Sequence, residues 1–161
     1  METTPFAPPI VYPNVSSNPF WEAKVRLEVG PPEREQYVRG GGIWVPPAGR
    51  RREVIFLVDS GATNCLLSGS LADYLGLDLT QQPAYIGHVD GELLVIPSTF
   101  RAAIGSEWLL LPCFVRCGRN GRIDPEDWNE DILGMEGLLA RYNIELAIEE
   151  VTFKPRCAAR A

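Results

Sequence analysis

An all-β fold is what this sequence predicts, and three observations carry the expectation. Apolar residues alternate with polar ones over Trp21–Val29 (WEAKVRLEV) and again at Ile144, Leu146 and Ile148, the period of a half-covered strand. Short apolar runs rich in β-branched residues, Glu53–Val58 and Trp108–Val115, are bounded by polar or turn residues. Helical signals are confined to two short stretches, too few for a helical layer.

Taken in order, the proline-rich residues 1–20 read as an extended arm outside the core. The alternating strand from Trp21 ends at Gly30-Pro31-Pro32. The polar stretch Glu33–Arg52, with Gly40-Gly41-Gly42 and a short apolar Ile43-Trp44-Val45, reads as a long loop or a weakly specified hairpin. Glu53–Val58 reads as a strand buried on both faces, and Asn64-Cys65-Leu66-Leu67 as another. Ser68 or Ser70 can cap a short helix whose Leu71, Tyr74 and Leu75 share a face, with Gly76 as its stop. Pro83–Ile104 reads as a hairpin around Gly87-His88-Val89-Asp90-Gly91. After Trp108–Val115 come a turn at Gly118–Gly121 and an acidic loop, Asp124–Asp131. A second short helix is expected over Glu136–Arg141, then two final strands meeting near Glu149-Glu150. One domain over residues 21–155, with a tail at 156–161, accounts for the chain.

A length of 161 residues suits one domain that buries about two-thirds of its unfolded surface. Net charge is −6, which argues against a nucleic-acid partner, since that footprint is basic. No apolar run approaches the roughly 20 residues of a membrane span, and Met1–Pro5 lacks the pattern of a signal peptide. The expectation is a cytoplasmic chain with its four cysteines (Cys65, Cys113, Cys117, Cys157) reduced. Cys113 and Cys117 are spaced as small core residues of a strand rather than as a zinc knuckle.

The chemistry concentrates at Phe56-Leu57-Val58-Asp59-Ser60-Gly61-Ala62-Thr63. An apolar run delivers one carboxylate into a Ser-Gly turn, a costly placement unless the acid is satisfied or used. Downstream lies Asp131-Ile132-Leu133-Gly134-Met135. Together these segments resemble the signature of the retropepsin-like aspartic proteases, most closely over Glu53–Gly76 and Asp131–Phe153. The resemblance implies a closed six-stranded barrel with a flap hairpin and one or two short helices, assembled as a homodimer. It implies an aspartic endopeptidase acting on polypeptide, without metal or cofactor. Asp59 would be the catalytic carboxylate. Ser60, Gly61, Ala62 and Thr63 would support its loop, with the Ser60 hydroxyl bonding across the dimer, Gly61 permitting the turn and the Thr63 hydroxyl tying it down. Ile132, Leu133 and Gly134 would buttress the loop from below. Ile86, Gly87, His88, Val89, Asp90 and Gly91 would form the substrate-covering flap.

Acid–base hydrolysis on water needs two carboxylates about 3 Å apart that share a proton, as in aspartic proteases. The chain holds one Asp-Ser-Gly, and Val89-Asp90-Gly91 lacks the hydroxyl. The second aspartate must therefore come from a second copy across a two-fold axis. Viral members of the family often carry arginine where Met135 stands; cellular and bacterial ones often carry an apolar residue. Competing readings are an Asp59 that only caps a turn, a His88 serving Ser60 or Cys65 as base, a metal loop at Asp124–Asp131, and a tryptophan ligand cage; packing suits the tryptophans better, and solvation the acids. A non-proteolytic peptide-binding or dimerisation module on the same fold is the alternative from another functional class.

Overall fold

A computed structural model describes residues 7–33, 46–88 and 90–156. The Ile43-Trp44-Val45 segment, its preceding glycines, Val89, Cys157 and the rest of the tail lie outside the described residues. The elements are β1 (Ile10–Pro13), β2 (Lys24–Gly30), β3 (Arg52–Val58), β4 (Cys65–Leu67), α1 (Gly69–Leu75), β5 (Ala84–His88), β6 (Gly91–Ile104), β7 (Glu107–Arg116), β8 (Asp131–Leu133), β9 (Tyr142–Leu146) and β10 (Glu150–Pro155).

The larger sheet runs β2-β3-β8-β4-β7-β6-β5, and a further β2–β6 pairing closes its first six strands into a barrel. Closure is through Val29 opposite Ala102 and Gly30 opposite Arg101. Most neighbours are antiparallel, but β3–β8 and β4–β7 are parallel. Inward-facing residues of each strand fill the barrel: Val25, Leu27 and Val29 of β2, Phe56 of β3, Phe100 and Ala102 of β6, Leu111 and Val115 of β7. Phe56 and Phe100 stack at its centre with ring centroids 6.2 Å apart. Each such ring removes on the order of 150–250 Å² from water, which makes the barrel interior the chief source of stability.

Several expectations need correction. The proline-rich arm is not wholly outside the core: it supplies β1, which pairs with β10 in a three-stranded sheet, β1-β10-β9. Ile10 and Tyr12 pack on the core from there. Phe153 stands edge-on between the rings of Tyr12, at 5.6 Å, and Tyr142, at 5.9 Å. Strand β3 is not buried on both faces. Its residues alternate, with Val54, Phe56 and Val58 inside and Ile55 exposed, as a barrel wall requires.

In α1 the Ser68 hydroxyl accepts the Leu71 N–H at 3.2 Å, and Gly76 closes the helix in the left-handed conformation at φ 63°. Leu71 and Leu75 are buried but Tyr74 is exposed, so the three do not share the core face. The helix expected over Glu136–Arg141 is instead a chain of hydrogen-bonded turns. Gly137 within it has φ 83°, a left-handed step that interrupts a right-handed helix. Trp21 and Trp128 are exposed rather than packed. Cys113 is buried as expected, and Cys117 is half-buried just past the end of β7.

Candidate active site

Strand β3 carries Asp59 to the barrel end. Its last residue, Val58, lies opposite Leu133 of β8, and the Asp59 N–H donates to the Leu133 carbonyl at 3.2 Å. The chain then turns sharply: Asp59 Oδ1 accepts the Gly61 N–H at 2.9 Å, and its carbonyl accepts the Ala62 N–H at 3.1 Å. Such an Asx turn holds one carboxylate oxygen against the backbone and leaves the other free. Asp59 is half-buried, and Ser60, Gly61 and Thr63 are exposed.

The segment after β8 braces the loop from the far side. Met135 N–H donates to the Ala62 carbonyl at 2.9 Å, and Glu136 N–H to the Thr63 carbonyl at 2.7 Å. Thr63 is thus tied through its backbone, and among the described residues its hydroxyl makes no hydrogen bond. Gly61 is not in the left-handed region, so the turn does not require glycine for its dihedrals. A Cβ there would stand 3.4 Å from Asp59 Oδ1, in van der Waals contact with the reactive group. Gly134 is the position where glycine is obligatory. A Cβ on it would lie 2.3 Å from the carbonyl carbon and oxygen of Asn64. The two chain segments cross in contact there, which no other residue permits.

Above Asp59 projects the β5–β6 hairpin, paired from Ala84–Val95 to His88–Gly91. Between hairpin and loop is a groove of about 830 Å³ lined by Asp59, Gly61, Ala62 and Thr63 and, from the hairpin, Ile86, Gly87 and His88. Asp90 and Gly91 do not line it. Asp90 points into solvent with its carboxylate 4.0 Å from His88 Nδ1. Gly91, at φ 117°, makes the turn possible.

The groove floor was not foreseen from the sequence. Cross-strand register sets Leu57 beside Ile132, Ile132 beside Leu66, and Leu66 beside Phe114, so four neighbouring strands contribute one apolar row. All four side chains line the groove, together with Asn64. The parity of Leu57 and Asp59 along β3 hinted at one member. The other memberships depend on long-range register that no local pattern encodes.

Asp124, Glu126 and Glu130 of the acidic loop are exposed, as a solvated loop requires, but two of its acids have a further task. Asp131 accepts the Ser68 N–H at 2.7 Å, and Asp127 accepts the Gly69 N–H at 3.1 Å. These acids satisfy the orphan donors at the start of α1. Burial pushes the Asp131 carboxyl above its ordinary value, partly offset by the Ser68 bond and by Arg116. Among the described residues no three His, Cys, Asp or Glu side chains come together as a metal site. Burial also raises the Cys65 thiol to about 11, the opposite of what a nucleophile needs. No hydrogen bond joins His88 to Ser60 or Cys65 among the described residues. Also among these residues, no helix is long and apolar enough to cross a membrane.

Comparison with solved structures places this architecture. The chain is similar to the crystal structure of a retropepsin-like aspartic protease from Rickettsia conorii, with a TM-score of 0.57 and 17% identity, over 98% of this chain and 100% of that one. At that identity the likeness establishes the fold: a retropepsin-like barrel with one helix. No protein-family model matches the sequence, and no curated protein does so.

Proposed function

We propose that the protein is an aspartic endopeptidase that works as a homodimer, with Asp59 of each subunit forming the catalytic pair. One observation carries the reading. Among the described residues Asp59 is the single acid lining a large groove whose remaining walls are apolar or weakly polar, and it sits under a projecting hairpin. An isolated carboxylate can activate water or donate a proton, but not both at once. Two of them facing each other share a proton and titrate as a unit.

The chemistry follows from that pairing. The ionised Asp59 takes a proton from water as its oxygen attacks the peptide carbonyl carbon. The protonated Asp59 of the partner donates to the carbonyl oxygen. Collapse of the tetrahedral diol breaks the C–N bond: the nitrogen leaves with the proton gained by the first carboxyl, and one diol hydroxyl returns its proton to the partner's Asp59, which restores the shared-proton pair. The Gly61 N–H on Oδ1 orients the carboxylate. Substrate lies extended between the hairpin and the row of Leu57, Ile132, Leu66 and Phe114, bonding to main chain as an added strand. Ile86, Gly87 and His88 cover it from above and reduce its contact with water. The Ser60 hydroxyl is exposed and makes no hydrogen bond among the described residues, which leaves it free to bond across the two-fold.

Asp59→Asn tests the reading. It keeps an acceptor for the Gly61 N–H but removes the acid, so peptide-library cleavage should disappear while sedimentation still shows the wild-type dimer. Unchanged cleavage would sink the proposal. Wild-type protein that binds peptides without ever cutting them would favour the non-proteolytic module.

A further inference from the structure

The turn before β2 presents Phe20 and Trp21 to solvent, 76% and 89% exposed, the two most exposed large apolar residues of the described chain. This is not a loose end. Trp21 and Glu22 N–H both donate to the Asn18 carbonyl, at 3.0 and 3.1 Å. The Asn14 side chain accepts from Ser16 and Lys24 N–H and donates to the Glu22 carbonyl at 3.3 Å. Ser16 Oγ bonds the Glu22 carboxylate at 2.8 Å, and Lys24 bridges Glu22 and Glu130 at 3.4 and 2.7 Å. A turn so firmly pinned holds two aromatic rings in water, the mark of a surface that something else covers.

Its position says what covers it. The Ala23 carbonyl accepts the Val58 N–H at 2.9 Å, so the turn lies at the same barrel end as the Asp59 loop. That end also carries a shallow depression of about 470 Å³ formed by the Asp59 loop and the turns after β8, its apolar lining supplied by Ala62, Met135, Leu139 and Ala140. Leu139 is itself 44% exposed. Phe20 and Trp21 do not line this depression in their own subunit. Knob and hole thus lie on the face that must meet its mate if two Asp59 carboxylates are to pair.

We propose that the Phe20-Trp21 turn of each subunit seats in the Ala62/Met135/Leu139 depression of the other. The occupant is a second copy of this chain, and the inference rests on the homodimeric reading above. A two-fold axis makes the contact twice, so the partner's knob props the segment that braces this subunit's Asp59 loop through the Met135 and Glu136 N–H bonds. Dimerisation and the ordering of the active loop become one event.

The test uses sedimentation velocity and peptide cleavage across a dilution series. Trp21→Ala removes two aromatic anchors per dimer and should raise the dimer dissociation constant at least about 100-fold. Cleavage should fall at low concentration and recover at high concentration. Because both rings are exposed within the subunit, thermal unfolding of the dilute monomer should stay unchanged. A complementary pair sharpens the test. Trp21→Lys and Leu139→Glu should each dimerise poorly alone, but mixed they form a heterodimer with one wild-type contact, one Lys–Glu contact and both aspartates, so cleavage should return. Wild-type affinity for Trp21→Ala, or a mixture no more active than its components, would overturn this interface while leaving the Asp59 pair standing. A wild-type protein that stays monomeric would overturn both.

Discussion

Gly134→Ala probes how the buttress sets the Asp59 loop. The added Cβ would stand 2.3 Å from the Asn64 carbonyl carbon and oxygen and 2.9 Å from the Cys65 nitrogen, all of them backbone atoms. No side-chain rotation relieves the contact, so one of the two crossing segments has to shift by about 1 Å to regain ordinary van der Waals separation. Overpacking of this kind costs about 3 kcal/mol where neighbours cannot yield. For a domain of this size that is a fall of roughly 6–12 °C in Tm. The moving segments bear the Ala62–Met135 and Thr63–Glu136 bonds, so the carboxylate moves with them. A misplacement near 1 Å costs about 100-fold in rate. Gly87→Ala is the matched control, since nothing lies within 4 Å of a Cβ built there. Its Tm should stay within about 1 °C of wild type. Differential scanning calorimetry and peptide cleavage, measured on both variants, give the answer. A Gly134→Ala protein that melts and cleaves like wild type would refute the crossing as the support of the site.

Two further predictions concern buried groups. The fold raises the Asp131 carboxyl, so its contribution to stability is present below the ordinary aspartate value of about 3.9 and is lost as pH rises through the folded value. Asp131→Asn keeps an acceptor for the Ser68 N–H, so urea melts should find it at least as stable as wild type near pH 7, with the advantage shrinking on acidification. Asp131→Ala should cost about 1–3 kcal/mol by orphaning that donor; an Asn variant as damaged as the Ala variant would contradict the assignment. Burial raises the thiols of Cys65 and Cys113, so iodoacetamide near pH 8 should label neither in the native state and both in urea, as mapped by mass spectrometry. Rapid native labelling of Cys65 would show the loop opening far more often than its hydrogen bonds suggest.

What could be read from the sequence was what local pattern encodes. The apolar run into Asp59-Ser60-Gly61, the Ile132-Leu133-Gly134 strand and the glycine-flanked hairpin each occupy a few consecutive residues, and each takes the secondary structure its pattern implies. Features that depend on distant pairing were hidden. β1 forms because β10 offers it an edge, from Ile10 opposite Phe153 to Pro13 opposite Glu150. The four-residue groove floor follows from three separate registers. Asp127 and Asp131 looked solvated because the helix end they cap is some 60 residues earlier. The false helix at Glu136–Arg141 had helical composition, and a single left-handed glycine outweighed it.

Strand β6 belongs to the barrel and to the hairpin at once. From Val95 to Ile104 it is clamped against β7, and the Leu94 carbonyl accepts the Cys117 N–H at 3.1 Å just beyond, whereas Gly91–Leu93 pairs with β5 alone. The hairpin is therefore a cantilever rooted in a barrel stave, not a lid swinging on a loop. Its overhang is three residue steps, about 10 Å at strand spacing. A bend of about 15° at Val95–Pro97 carries the tip through roughly 3 Å, a displacement on the scale of one heavy-atom contact distance. Pro97, with no N–H to give to its neighbours, stands at that root. Stiffness at this one point, rather than the composition of the exposed tip, then governs how wide the groove opens.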